Sequence, residues 1–312
     1  MSDLNKRIEE KYKELGENPE IYLKGLLNAK PITYWDYIGV DTLLSLQKPR
    51  TNFKDETIFI MYHQVTELLL KMMRHELEQI VEAENVTEDF LMVKISRLNR
   101  YTTMLITSFD VMKDGMDYDD YNTFRTTLAP ASGFQSAQFR NIEILCTSME
   151  NLVNEVGKKR LPPNPTIEDY FGEVYWMDAG LNRKTGKKTL TMQLFMDKYL
   201  DSFVALAKRT KGKTLEDKML VVKNPSEALR KILREFDDLY NVEWPLVHLR
   251  TAQHYLDRKG ENQAATGGSE WKKYLHPKFQ QRKFFPTLWT LEEKQEWGNS
   301  KIGQYGSLEI NP

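Results

Sequence analysis

A long stretch with helical spacing, residues 55–82, constrains the fold more than any other feature of the sequence. It reads DETIFIMYHQVTELLLKMMRHELEQIVE. Its apolar residues recur every three or four positions, at Ile58, Met61, Val65, Leu68 and Met72. This spacing is typical of an α-helix with one apolar face. We therefore predict a long buried helix over residues 55–82.

Helical spacing returns along most of the remaining chain, whereas alternating β patterns bounded by turns are nearly absent. The sequence KKRLPPNP at 158–165 ends one helix, because consecutive prolines cannot continue it. No internal repeat is found. We predict an all-α fold, a single large helical domain over residues 1–312. Its further long helices lie at about 87–112, 136–156, 189–208 and 225–257.

The charge balance and the cysteine count limit the class of protein. Lys and Arg total 44 against 45 Asp and Glu, so the net charge is -1 and no global field attracts nucleic acid or an anionic membrane. The single cysteine, Cys146, excludes an intrachain disulfide framework. The N-terminus is charged, and no apolar run is long enough to span a bilayer. We expect a soluble cytoplasmic protein that binds a small molecule or a protein partner.

The segment YNTFRTTLAPASGFQSAQFRNIE at 121–143 is the candidate binding site. If it is helical to about Leu128, Tyr121 and Arg125 share one face, and together they could clamp an amino-acid-like carboxylate. The alternative is that Arg125 pairs with a structural Asp or Glu. Polar residues inside apolar surroundings need partners, and this segment is rich in them: Ser132, Gln135, Ser136, Gln138 and Arg140.

Three aromatic residues lie close to the start of the chain, at Tyr34, Trp35 and Tyr37. Large aromatic side chains are rarely left in water, so they belong either to the core or to an arm packed on another subunit. Burial alone favours the core.

The five histidines are the candidates for catalysis, since HExxH, CxxCH and both common Gly-rich phosphate loops are missing from the sequence. His63 and His248 each lie within a mostly apolar helix. A lone histidine there is usually a hydrogen-bonded core residue, but two of them on separate long helices could hold a haem between them. His75 and His276 are predicted to be surface or turn residues.

Several motifs together resemble the tryptophan 2,3-dioxygenase family, haem enzymes that open the indole ring. They cover most of the chain, and the third of them is the most specific. The motifs are TYWDYIGVDTLLSLQKP at 33–49, FIMYHQVTELLLK at 59–71, the 121–143 segment, EWPLVH at 243–248 and ATGGS at 265–269.

The resemblance implies a haem pocket with one haem b per subunit and assigns roles to five residues around it. His248 would be the proximal ligand of the haem iron, and His63 the distal, catalytic histidine, hydrogen-bonded to the indole N–H of the substrate. Arg125 would clamp the substrate carboxylate with Tyr121 beside it, and Thr266 would hold the carboxylate and ammonium end.

The resemblance also implies contacts within a homotetramer. Phe59 would line the indole pocket and Ser132 would lie close to the haem edge. Tyr34, Tyr37 and Ile38, on an N-terminal arm, would reach the pocket of a neighbouring subunit. This reverses the preference for the core that burial alone gave.

The implied reaction is insertion of both atoms of O2 across the C2–C3 bond of L-tryptophan, giving N-formylkynurenine in the kynurenine pathway of tryptophan catabolism. The alternatives are a related haem enzyme that hydroxylates tryptophan or cleaves a substituted one, and a non-catalytic helical interaction protein. Two departures from the family's pattern affect positioning: Pro245 stands where the family usually has Arg after Trp244, and the glycine loop is short, TGGSE at 266–270.

Overall fold

The structure is a computed structural model that describes residues 3–257 and 271–302, and it confirms the all-α prediction. Within those residues, β pairing is confined to two isolated bridges, Val153–Val174 and Leu181–Lys188. None of the helices described is long and apolar enough to span a bilayer. The chain divides into two compact units, Met1–Lys48 and Pro49–Pro312. The prediction of a single domain stays a prediction.

The first unit contains four helices and buries none of their residues. Tyr34, Trp35 and Tyr37 are 72%, 56% and 77% exposed, so the assignment of these aromatics to a core is wrong. So short a unit has too little interior to enclose large side chains. The helices are α1 (Asp3–Glu14), α2 (Pro19–Asn28), α3 (Tyr34–Ile38) and α4 (Val40–Leu43).

The second unit contains the remaining helices. The long ones are α5 (Asp55–Glu82), α6 (Glu88–Thr107), α12 (Leu190–Thr210), α14 (Glu227–Asp238) and α15 (Trp244–Leu256). The short ones are α7 (Phe109–Lys113), α8 (Tyr118–Phe124), α9 (Ala137–Cys146), α10 (Glu155–Lys158), α11 (Ile167–Glu173), α13 (Leu215–Val221), α16 (Trp271–Leu275), α17 (Pro277–Gln280), α18 (Leu291–Gln295) and α19 (Asn299–Ile302).

The first long helix, α5, has the bounds predicted for it, but its buried face differs from the predicted one. Its core side is formed by Leu69, Leu70, Met73, Leu77 and Ile80, which are at most 5% exposed. The apolar positions that indicated burial are open instead: Met61 is 41% exposed, Val65 50%, Leu68 47% and Met72 43%. Helical spacing identifies an apolar face, but it does not identify what covers that face.

Of the predicted helices, one is interrupted and another ends earlier than expected. The one at 87–112 begins where Thr87 Oγ1 accepts a hydrogen bond from Phe90 N (3.2 Å) and breaks at Ser108 into α6 and α7. The one at 136–156 ends at Cys146. There Thr147 becomes extended, and its hydroxyl donates to the buried carboxylate of Glu216 (2.7 Å). A side-chain partner from another helix therefore terminates α9.

The helix predicted at 225–257 contains a π-helical turn. The α14 helix runs into a π turn, Leu239–Glu243, which continues directly into α15. Pro245 is in the first turn of α15 and has no N–H to donate to the carbonyl of Asn241, as an α-helix would require. The π turn, which is wider than an α-helical turn, lies immediately before Pro245, and the helical run continues through the proline.

Asp237 on α14 anchors the C-terminal part of the described chain. Its carboxylate accepts hydrogen bonds from the backbone N–H groups of Phe284 (2.8 Å) and Phe285 (3.2 Å), from Trp289 Nε1 (2.8 Å) and from Asn241 Nδ2 (2.7 Å). Burial raises the pKa of Asp237, and these hydrogen bonds oppose the rise. The contacts hold this segment beside the helix that leads to His248.

Candidate functional site

The second unit encloses a cavity of about 540 Å³ with a mixed apolar and polar lining. This volume is within the range of small-molecule sites, roughly 300–1,000 Å³. The cavity brings together six of the predicted site residues, from α5, α8, α15 and the segments after α8. They are Phe59, His63, Tyr121, Arg125, Ser132 and His248.

His63 is held by its own helix. Its Nδ1 lies 2.8 Å from the carbonyl oxygen of Phe59, one turn earlier. Because a carbonyl oxygen only accepts, Nδ1 must carry the proton of the neutral ring, and Nε2 is then an acceptor. Burial lowers the pKa of His63, which favours this neutral form, although the Phe59 carbonyl and Glu67 oppose the shift.

His248 lies deep in the protein, one helical turn into α15, and its ring retains open surface because it faces the cavity. Burial, and secondarily the charge of His63, lower its pKa to about 4. The imidazole is therefore neutral at pH 7 and has a lone pair available for a metal ion. It makes no hydrogen bond to any residue in the described part of the chain, and its nearest aromatic neighbour is Phe109, at 5.4 Å between ring centroids.

A wall of aromatic rings closes the cavity beside His63. The Phe59 ring is 4.2 Å from that of His63 and 5.9 Å from that of Tyr121. The Tyr121 ring in turn lies 4.3 Å from that of Tyr255, whose hydroxyl donates to the carbonyl of Met112 (2.5 Å). Flat apolar surfaces of this kind suit a flat aromatic ligand.

Arg125 lies at the start of a 3-10 turn, Arg125–Thr127, which continues α8. The helical conformation therefore extends almost to Leu128, and Tyr121 and Arg125 line the same cavity as predicted. The residue Arg125 is 7% exposed, and its Nε donates to Asn122 Oδ1 (3.0 Å). Asn122 is itself fixed, because its Nδ2 donates to the carbonyl of Tyr118 (3.1 Å). Within the described chain, an amide thus orients the plane of this cation.

The other polar residues of the 121–143 segment have structural partners. Ser132 Oγ accepts from Phe134 N (3.3 Å), and the side chain of Gln135 accepts from Ser132 N (3.2 Å). Ser136 caps α9, and Gln138 donates to the carbonyl of Glu67 (2.7 Å). These bonds fix the conformation of the loop on one side of the cavity.

A buried cluster on the cavity wall combines two arginines with one carboxylate. Arg140 donates to Tyr175 Oη (2.6 Å) and forms an ion pair with Glu143 (3.3 Å). Tyr175 donates to Glu143 (2.5 Å), and Arg282 also contacts both Glu143 and Tyr175. With Tyr175 neutral, these four side chains carry one more positive charge than negative charge. The cluster therefore favours an anion at this wall.

Three predicted site residues, Tyr34, Tyr37 and Ile38, belong to the first unit, where they are 72%, 77% and 44% exposed. Thr266 and the rest of the glycine loop lie outside the described residues. His75 is exposed, as predicted. His276 is not a surface residue: it is 4% exposed, and its Nδ1 accepts from the backbone N–H of Lys278 (3.1 Å) at the start of α17.

Several residues in or beside the cavity were not singled out from the sequence. Phe109 and Tyr255 line the cavity, and Asn122 bonds Arg125, but in the sequence all three resemble ordinary helix residues. The only signal for Asn122 is its position three residues before Arg125, a spacing that lets two helical side chains meet. Arg282 has no such signal, because its partners are distant in the sequence.

Chemically, the cavity offers three functions. A neutral imidazole at 248 can ligate a metal ion, the Nε2 acceptor of His63 can take a hydrogen bond from a ligand N–H, and Arg125 can bind a carboxylate. The aromatic wall between them suits a planar ring system.

Comparisons with known proteins find one family of similar chains. A family model described as "Tryptophan 2,3-dioxygenase" matches residues 26–202. Among similar proteins, the tryptophan 2,3-dioxygenase of Ruegeria sp. (strain TM1040) is 28% identical over 275 residues, 84% of this chain and 92% of the relative. That of Cupriavidus necator (strain H16) is 28% identical, covering 84% and 88%. That of Geobacillus thermodenitrificans (strain NG80-2) is 29% identical, covering 84% and 92%.

Proposed function

The chain belongs to the tryptophan 2,3-dioxygenase family, and we propose that its cavity binds haem b and L-tryptophan side by side. The enzyme inserts both atoms of O2 across the C2–C3 bond of L-tryptophan and yields N-formylkynurenine. One observation carries the assignment of the site: His63, Arg125 and the neutral His248 all line the same cavity.

The residues around His248 fit a haem. Its imidazole is neutral at pH 7 and faces the cavity, so it could hold the haem iron. The cluster around Arg140 and Arg282 carries a net positive charge, which suits the acidic edge of the porphyrin. Ser132 would lie near the same cofactor, since it borders the cavity on the loop before α9. When bound, the haem iron supplies the activation of O2.

His63 would orient the indole ring. Its Nδ1–H already donates a hydrogen bond to the Phe59 carbonyl, so its Nε2 can accept a hydrogen bond from the indole N–H. An indole N–H is a poor acid, so a hydrogen bond that fixes the ring is the role we propose for His63. The Phe59 ring, 4.2 Å from that of His63, would pack against the substrate ring.

Arg125 would bind the substrate carboxylate in two parallel hydrogen bonds, with Tyr121 beside it. Asn122 holds the guanidinium in one orientation by accepting a hydrogen bond from its Nε. The Arg125 side chain therefore loses less rotational freedom when the substrate binds. Thr266 would complete this end of the site by holding the carboxylate and ammonium groups. The surrounding rings of Tyr121 and Tyr255 would exclude water and so strengthen the ion pair.

We also propose that the enzyme is a cytoplasmic homotetramer in which Tyr34, Tyr37 and Ile38 of one subunit complete the pocket of a neighbour. Their exposure supports this, since large apolar side chains left open on a short unit are typical of a surface that is covered in an assembly.

Reconstitution with haemin tests the function. The reduced protein should show a Soret band that shifts when L-tryptophan is added. Incubation with isotopically labelled O2 should give a product that has gained two labelled oxygen atoms. One added oxygen atom would identify a hydroxylase instead, and a folded protein that takes up no haem would refute the assignment of the cavity.

A further inference from the structure

One face of α5 carries an exposed apolar seam, formed by Met61, Val65, Leu68 and Met72. Each of them is 41–50% exposed, although another face of the helix is packed into the core. The intervals between them are four, three and four residues, the spacing of the a and d positions of a coiled coil. Monomeric proteins rarely leave a continuous apolar stripe of this kind in water, so the seam marks an interaction surface.

The seam lies on the reverse side of the helix from the cavity. At 100° per residue, Val65 is about 200° around the helix from His63, and Leu68 about 140°. His63, Thr66 and Glu67 line the cavity, and none of the four seam residues does. The seam is therefore separate from the substrate and cofactor site.

We propose that this seam binds the same seam of a second copy of the chain, with the two α5 helices antiparallel about a two-fold axis. The spacing is the same in both directions along the helix. An antiparallel pair centred between Val65 and Leu68 therefore places Met61 against Met72 of the partner subunit, and Val65 against Leu68 of the partner subunit. All four apolar residues on each copy are covered, and a two-fold contact needs no second kind of surface.

Charge selects the antiparallel direction over the parallel one. Beyond the apolar positions, the face of the seam continues through Ile58 to Lys54 at the N-terminal end, and through His75 and Gln79 to Glu82 at the C-terminal end. The Glu82 side chain is 68% exposed and forms a surface ion pair with Arg209 (3.7 Å). In this register an antiparallel pair places each Lys54 opposite Gln79 of the partner subunit and about 4.5 Å along the axis from Glu82 of the partner subunit. A parallel pair instead sets the two copies of Lys54 opposite each other, and likewise the two copies of Glu82. Antiparallel helix dipoles also attract. The seam would form one interface of the proposed homotetramer, whatever reaction the cavity catalyses.

Cysteine cross-linking tests both the contact and its direction. The native thiol, Cys146, is buried and does not interfere. Under mild oxidation, the double variant Met61→Cys/Met72→Cys should form a covalent dimer. Each single variant should not, because equal positions are about 16 Å apart along an antiparallel pair. Cross-links in both single variants would establish a parallel pair, and no cross-link in any of the three would overturn the proposal. The latter result is expected if another segment covers the seam.

Charge insertion provides an independent test. The variant Leu68→Asp should halve the molar mass of the assembly measured by light scattering, while haem uptake by the separated subunits continues. The matched control is Val93→Asp on α6, since Val93 is similarly exposed (51%) but lies outside the seam. An unchanged mass in Leu68→Asp, or the same loss of mass in Val93→Asp, would overturn the proposal. Should Leu68→Asp fail to fold, the cross-linking result decides alone.

Discussion

Replacing Arg125 with Ala is the most direct test of the substrate site. The residue Arg125 is 7% exposed, so its partner carboxylate would also lose water on binding. Truncating one member of a buried ion pair costs about 3–5 kcal/mol, because the remaining charge is left without a partner. At about 1.4 kcal/mol per factor of ten, we expect kcat/KM for L-tryptophan to fall by roughly 100- to 4,000-fold.

The assay compares L-tryptophan with tryptamine, which has the same ring and amine but no carboxylate. Initial rates are followed by the absorbance of the ring-opened product, and haem content is matched from the Soret band. The variant should lose its preference for L-tryptophan, while its rate with tryptamine stays near the low wild-type value. A kcat/KM for L-tryptophan within about threefold of wild type, at equal haem content, would refute the carboxylate clamp.

The orientation of Arg125 by Asn122 is tested in the same assay. Asn122→Ala removes the acceptor of the Arg125 Nε hydrogen bond (3.0 Å) and leaves the charge in place. A hydrogen bond to a charged group is worth about 1.5–3 kcal/mol, and we expect part of it, about a tenfold loss in kcat/KM, to appear with L-tryptophan alone. Thr123→Ala on the exposed side of α8 is the control. An equal loss with tryptamine would show that Asn122 acts on the fold instead.

Four further variants have defined outcomes. His248→Ala should purify without a Soret band, and a full band would move the iron ligand to another residue. His63→Ala should keep its haem and lose only part of its activity, and complete loss of haem would reverse the two assignments. Asp237→Ala should lower the free energy of unfolding, measured in urea, by several kcal/mol, because about 1–3 kcal/mol is lost for each buried donor left unpaired. A loss below about 1 kcal/mol would contradict the anchoring role of Asp237. Burial lowers the pKa of Lys283 from 10.5 to about 8. Between pH 8 and pH 10.5 the unfolded chain therefore binds a proton at Lys283 that the folded chain does not. The free energy of unfolding, relative to that of the Lys283→Met variant, should rise with pH across this interval.

The sequence predicted the class of the fold and the long helices well, because helical spacing is a local property. The bounds of α5 agree with the prediction at both ends. The errors have tertiary causes. The helix expected at 136–156 is cut short where Thr147 bonds Glu216, 69 residues away in the chain. The apolar residues read as core on α5 lie on the one face that the second unit leaves open.

For the site, motif resemblance pointed to six residues that the structure gathers in one cavity, including His63, Arg125 and His248. Composition and spacing alone left both histidines more plausible as core residues. Neither approach found Arg282, whose contacts with Glu143 and Tyr175 join segments more than a hundred residues apart. Such clusters become visible only when the chain is folded.

The π turn at Leu239–Glu243 makes the direction of His248 depend on the number of residues before it. If one residue were deleted there, the run from α14 to α15 could wind as a regular helix, and every later side chain would rotate by about 100° relative to α14. The imidazole would then point away from the cavity, while the hydrogen-bonded ladder would become more uniform. An irregular backbone, which looks like a defect in the helix, is in this way a condition for activity.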